Sequence, residues 1–147
     1  MKFNTKLLHG KAGRNTPDGA TLPGISQVSA FSYDSVEHLE KVFGNKAPGF
    51  AYTRIGNPTV AAFEQRINEV EGGTGAIACA SGMAAITVAL LNVLSAGDEI
   101  IAGSGLFGGT IDLFKDLEAF GITTHFIPHI TVEDIKPVLN QNIKAVF

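Results

Sequence analysis

Tryptophan is absent from the 147 residues, tyrosine occurs twice and cysteine once. The single thiol, Cys79, cannot form an internal disulfide; it lies in the apolar run Ala76-Ile77-Ala78-Cys79-Ala80 and reads as a small buried core residue of a protein from a reducing compartment. Any cluster of basic side chains is also missing. Eleven Lys and Arg are interleaved with fourteen Asp and Glu for a formal charge of −3, which leaves no electrostatic footprint for nucleic acid. The four histidines, His9, His38, His125 and His129, have no metal-ligand spacing to a cysteine or carboxylate motif, so no metal site is expected. No long apolar stretch follows Met1-Lys2-Phe3-Asn4-Thr5-Lys6, so neither a secretory signal nor a membrane span is placed there, and a cytoplasmic location is the expectation.

What is present is 45% hydrophobic residues against 17% charged, in a chain long enough to enclose a real core. From residue 1 to 56 the sequence is rich in Gly, Pro, Asn, Ser and Thr. Only Ser35 to Phe43 carries a helical pattern, through Val36, Leu39 and Val42-Phe43, so the remainder is predicted to be an extended arm. Such an arm buries little by itself and needs a surface to lie on, preferably that of a partner subunit. At Asn57-Pro58 the pattern changes. Asn suits an N-cap, Pro the first helical position, and Val60, Phe63, Ile67 and Val70 then recur on one face until Gly72-Gly73.

Residues 57–147 read as the incomplete N-terminal part of a larger domain, with the arm, 1–56, as a separate region. After the run Ala76–Ala80, Met83 to Leu94 is apolar nearly all round, as in a helix buried on several sides. Glu99 to Ala102 reads as a strand, Thr110 to Phe120 as a helix ended by Gly121, and Thr123 to Ile127 as a strand. Thr131-Val132-Glu133-Asp134 resembles a capping box that opens a helix to about Asn140, and Ile143 to Phe147 begins another strand, inside which the chain stops. Alternation with short connections predicts an α/β fold: a mainly parallel sheet with helices on both faces.

Ligands of such sheets bind beyond the carboxyl ends of the strands, where helix N-termini present unpaired amides. Ser81-Gly82-Met83 occupies a strand-to-helix turn of that kind. The amides of Gly82, Met83 and Ala84 would face outward; the helix dipole adds about 0.3–1 kcal/mol for an anion and each hydrogen bond to a charged acceptor about 1.5–3 kcal/mol. By spacing alone, Ser81 is equally well explained as an N-cap. Gly103-Ser104-Gly105-Leu106-Phe107-Gly108 is a literal G-x-G-x-x-G between a predicted strand and helix, which raises a nicotinamide-dinucleotide reading. That reading requires an acidic residue at the end of the next strand, about 20 residues on. The strand ends His125-Phe126-Ile127-Pro128, and the first acids, Glu133 and Asp134, fall in the following helix. Tyr52 and Arg54, two residues apart in a segment predicted extended, would project to one side and could both donate to phosphate; equally, a Tyr covering apolar surface and an Arg in a surface ion pair would explain them.

Tyr52-Thr53-Arg54 with Asn57-Pro58-Thr59, Glu71-Gly72-Gly73, Ser81-Gly82-Met83-Ala84-Ala85 and Leu106-Phe107-Gly108-Gly109-Thr110 occur in an order and spacing that resemble the Cys/Met-metabolism family of pyridoxal-phosphate enzymes, and Thr5-Lys6-Leu7-Leu8-His9-Gly10 fits too. The resemblance is nearest to the O-acetylhomoserine sulfhydrylases, with methionine γ-lyase and cystathionine γ-synthase or lyase as alternatives. It implies a fold-type-I architecture in which Ser81, Gly82 and Met83 bind the phosphate of pyridoxal 5'-phosphate (PLP), Phe107 stacks on its ring, and Tyr52 and Arg54 reach the same phosphate from the neighbouring subunit of a homodimer or homotetramer. The family commonly has Tyr where this chain has Phe107, which keeps the stacking and loses the hydroxyl. The implied reaction replaces the acetate of O-acetyl-L-homoserine with sulfide or methanethiol, giving homocysteine or methionine. The family's Schiff-base lysine and pyridine-pairing aspartate are expected beyond Phe147, since Lys2, Lys6, Lys11, Lys41, Lys46, Lys115, Lys136 and Lys144 lack the required context. The 147-residue stretch is accordingly expected to be inactive alone.

Overall fold

The computed structural model describes residues 2–10 and 19–147; Lys11 is outside them. The chain divides into two compact units, Met1–Ala78 and Cys79–Phe147. Helix α1 (Phe3–His9) arises where extended chain was expected. Seven residues are too few to hold a helix in water. What holds it is α3 (Pro58–Glu71), on which it packs, with the Arg66 guanidinium donating to the Lys6 carbonyl at 2.8 Å. This stretch of the arm therefore finds its surface within its own unit. Helix α2 (Val36–Phe43) is capped by the Ser35 hydroxyl, which accepts from the His38 amide at 3.1 Å. Asn57 caps α3 as the sequence predicts, and Gly72 ends that helix at φ 68°, a left-handed conformation that costs a residue with Cβ about 1–2 kcal/mol. The apolar stripe of α3 stays open, with Phe63 57% exposed.

The second unit contains α4 (Gly82–Val93), β1 (Glu99–Gly103), α5 (Gly108–Asp116), a 3₁₀ turn (Leu117–Phe120), β2 (Thr123–Ile127), α6 (Val132–Ile135) and β3 (Ile143–Val146). Its sheet has the order β2-β1-β3, and both pairings are parallel. As central strand, β1 is covered on both faces: Ile100, Ile101 and Ala102 are fully buried, which is why Glu99-Ile100-Ile101-Ala102 is continuously apolar after its first residue. Ile100 and Ala102 pack with Leu90 and Leu94 at the end of α4, with Phe114 of α5, and with Leu117 and Ile122. The connection between β2 and β3 reaches both ends of β1. Ile130 approaches Gly103, and Asn140 donates to Glu99 at 2.8 Å.

Three expectations change. Ala76–Ala80 forms no ladder, and Ile77 is 81% exposed, so the turn at Ser81 follows an unpaired run rather than a strand. Helix α4 buries only Leu90 fully, and Val88, Leu91 and Val93 stay exposed, so its all-round apolarity is not matched by burial within this chain. Helix α6 ends after one turn rather than continuing to Asn140, because Pro137 has no amide to extend the helical ladder. Thr131 does cap α6, its hydroxyl accepting from the Asp134 amide at 3.3 Å. Among the described residues no helix is long and apolar enough to cross a membrane.

Glu99 ties the amino end of β1 to β2 and to the segment that leads into β3. Its carboxylate accepts from Asn140 at 2.8 Å and Asn142 at 3.2 Å, and lies 2.5 Å from Nε2 of His125. Hydrogen bonds from Asn140, His125 and Asn142 hold its pKa at about 2, below the ordinary 4.5, although partial burial pulls the other way. A carboxyl depressed on folding stabilises above its unfolded pKa, and that contribution disappears as pH falls through the folded value. Glu99→Gln is therefore expected to flatten the acid limb of thermal stability between about pH 4.5 and about pH 2, where the unaltered protein loses stability. Parallel melting curves across that range in both proteins would refute this tie.

Candidate active site

The N-terminus of α4 is built from Ser81, Gly82 and Met83. Ser81 is extended at φ −157°, ψ 163°, and its hydroxyl oxygen accepts from the Ala84 amide at 3.1 Å. Ala84 is thereby removed from the set of outward amides the sequence predicted. Ala85 donates to the Ser81 carbonyl at 3.0 Å. The Gly82 and Met83 amides have no acceptor among the described residues, and the Ser81 hydroxyl still has its proton to donate. A Cβ built on Gly82 would meet nothing within 4 Å, so open space lies beside the unpaired donors. Two amides, a hydroxyl and the positive end of a twelve-residue helix form a donor set suited to a phosphate.

Phe107 precedes α5 with its backbone extended and its side chain 78% exposed. It is brought to the same neighbourhood as Met83: a Cβ placed on Gly109 would lie 3.1 Å from Cε1 of Phe107 and 3.9 Å from Sδ of Met83. An exposed aromatic face thus stands near the donor turn. That pairing fits a ligand with a phosphate at one end and a flat ring at the other, which is the shape of PLP.

Tyr52 and Arg54 belong to the first unit. They do come together, with the Arg54 guanidinium carbon 5.3 Å from the centre of the Tyr52 ring, but not through strand alternation. Tyr52 forms an antiparallel bridge with Ala30, and the chain then turns, Ile55 and Gly56 both donating to the Tyr52 carbonyl at 2.9 and 3.0 Å. The turn rests on buried Asn57, which the sequence reading treated only as a helix cap. Its amide nitrogen donates to the Ser26 carbonyl at 3.1 Å and to the Thr53 hydroxyl at 3.0 Å, while its oxygen accepts from Thr59 at 2.9 Å. Thr53 in turn donates to the Val28 carbonyl. No short motif announces this role, because the partners at Ser26 and Val28 are about thirty residues away in sequence.

The nucleotide fingerprint fails on geometry. Its third glycine should permit close packing of helix on strand, whereas a Cβ on Gly108 would meet nothing within 4 Å. The Asp134 carboxylate is engaged by the His129 amide at 3.2 Å, at the start of α6 and beyond the end of β2.

Comparison with known proteins places the chain in a family. The family described as Cys/Met metabolism PLP-dependent enzyme matches residues 4–147. The chain is 39% identical to homocysteine synthase of Schizosaccharomyces pombe over 99% of its own length and 34% of that protein's. It is 38% identical to O-acetyl-L-homoserine sulfhydrylase of Corynebacterium glutamicum, again over 99% of this chain and 34% of the relative. Among solved structures, a Campylobacter jejuni protein containing N'-pyridoxyl-lysine-5'-monophosphate superposes with a TM-score of 0.90 at 32% identity, covering all of this chain and 36% of that one. The chain therefore spans about a third of the length of the relatives it matches.

Proposed function

Because the chain belongs to the Cys/Met-metabolism PLP-dependent enzymes, we propose that it is the phosphate-binding portion of an O-acetyl-L-homoserine sulfhydrylase. The observation that carries the cofactor placement is the pair of amides at Gly82 and Met83 without an acceptor among the described residues, next to the Ser81 hydroxyl, with open space at the side of Gly82. The choice of γ-replacement follows the names of the two relatives given above.

In this reading Ser81, Gly82 and Met83 hold the phosphate by three donors, and Phe107 lies against the ring face. Tyr52 and Arg54 complete the phosphate site of a neighbouring subunit, adding a phenol donor and a permanent positive charge, so a homodimer is the smallest complete unit. Bound PLP supplies an electron-accepting heteroaromatic ring that stabilises negative charge developing on the carbon skeleton of an amino-acid substrate. Phe107 orients that ring and excludes water from one face, but it has no hydroxyl with which to move a proton. Proton transfers at Cα and Cβ, on which departure of acetate and addition of sulfide depend, then fall to side chains outside residues 1–147, as do the lysine and the aspartate that anchor the cofactor covalently and at its ring nitrogen.

The complete enzyme is expected to form homocysteine from O-acetylhomoserine and sulfide faster than it uses O-succinylhomoserine, and to degrade methionine poorly. Preferential breakdown of methionine would overturn the sulfhydrylase assignment in favour of a γ-lyase. Residues 1–147 alone are expected to show no turnover; borohydride reduction with stoichiometric PLP should label no lysine selectively, and one selectively labelled lysine would refute that expectation.

A further inference from the structure

Two adjacent glycines open α5, and their surroundings differ. Apart from its chain neighbours Phe107 and Gly109, a Cβ on Gly108 would meet nothing within 4 Å among the described residues, whereas one on Gly109 would lie 3.1 Å from Cε1 and 3.5 Å from Cδ1 of Phe107. Neither glycine has a positive φ, so backbone conformation requires neither to be glycine. Within a helix, alanine is intrinsically the more stable residue at both. At Gly109 the edge of the Phe107 ring closes in on the place a Cβ would take, with Met83 Sδ 3.9 Å from the same point.

We propose that Gly109 is a positioning residue for the cofactor ring: it leaves the gap into which the Phe107 ring settles next to Met83, and so sets the height and tilt of the aromatic face. The inference rests on the cofactor reading of this site. A separation of 3.1 Å is too tight for a methyl group and an aromatic carbon. With Phe107 78% exposed, no packing among the described residues obliges the ring to resist. A methyl at Gly109 therefore displaces the ring outward and leaves the fold intact. The expected signature is a loss of cofactor contact with no loss of stability, the reverse of what an ordinary packing glycine would give.

The test uses the complete enzyme in its unaltered form and as Gly108→Ala, Gly109→Ala, Phe107→Ala and the double variant Phe107→Ala/Gly109→Ala. PLP affinity is measured by absorbance titration, ring placement by visible circular dichroism of the bound cofactor, and stability by thermal melting of the apoenzymes. G109A is expected to weaken PLP binding threefold or more and change the dichroic band, while G108A stays within 1.5-fold of the unaltered enzyme and both melt no lower than it does. In the Phe107→Ala background the additional change is expected to have no effect, since the residue through which Gly109 acts is gone. Equal behaviour of G108A and G109A, or an undiminished G109A penalty without Phe107, overturns this inference alone. An enzyme that binds no PLP overturns the cofactor reading and this inference together.

Discussion

Gly82→Asp in the complete enzyme is expected to weaken PLP binding by about two to four orders of magnitude, while leaving the melting temperature of the apoenzyme unchanged or slightly raised. Beyond its chain neighbours and its own helix backbone, a Cβ on Gly82 meets nothing within 4 Å among the described residues, so the substitution meets no clash there. Gly82 is the first residue of α4, directly after the Ser81 cap. An acidic side chain in a helix's first turn interacts favourably with the dipole, adding about 0.3–1 kcal/mol to stability. The same carboxylate, placed beside the Gly82 and Met83 amides, competes for them and repels a phosphate dianion. Loss of two hydrogen bonds to a charged acceptor, at about 1.5–3 kcal/mol each, amounts to about 3–6 kcal/mol, which is the predicted range in affinity. Absorbance titration of the apoenzyme with PLP measures it. Binding within threefold of the unaltered enzyme, in a protein that melts normally, would remove the phosphate from this turn.

Phe114→Ala is expected to destabilise the protein by about 3–5 kcal/mol, a large fraction of a total stability on the order of 5–15 kcal/mol. Phe114 is fully buried and central to the core: it packs with Leu90, Leu94, Ile100, Ala102, Leu117 and Ile122. Its ring also meets those of Phe126 and Phe147 edge-on, at centroid distances of 6.1 and 5.3 Å. Removing it leaves a cavity bordered by both flanking strands as well as by β1, with no single neighbour able to fill it. Phe114→Leu, which keeps most of the volume, is expected to cost about 1.5 kcal/mol or less. The control is Phe120→Ala, at a residue 65% exposed, for which melting should hardly change. Equal melting shifts for the Phe114→Ala and Phe120→Ala enzymes would show that the sheet is not organised around Phe114.

Much of the second unit is legible in the sequence because its signals are local. The limits of β2 are those predicted, β1 gains only Gly103, and Gly121 ends the helical stretch with φ 77°. Apolar runs, caps and terminating glycines act over a few residues, so reading them needs no knowledge of the rest of the chain. The extent of α6 departs from expectation for a local reason too: Pro137 interrupts the helical pattern that begins at Thr131.

For the first unit the sequence yields less. Nothing in Phe3–His9 predicts a helix by itself; its stability comes from α3, some fifty residues later. Tyr52 and Arg54 come together, by a turn held through Asn57 rather than by the alternation of a strand. Ile77, Phe63 and the outer side of α4 show the converse case, since their apolar character suggests burial and this chain does not provide it.

By itself the sequence determined the alternation of elements, the parallel sheet, the order of motifs that marks the family, and Ser81-Gly82-Met83 as the turn that opens a helix. Tertiary structure decided which donors of that turn remain available, because Ser81 takes up the Ala84 amide and leaves those of Gly82 and Met83. It also decided that Phe107 stands by Met83 over Gly109. The reason is physical: helix periodicity and capping are written in neighbouring residues, whereas the space beside a glycine is set by side chains that arrive from elsewhere in the chain.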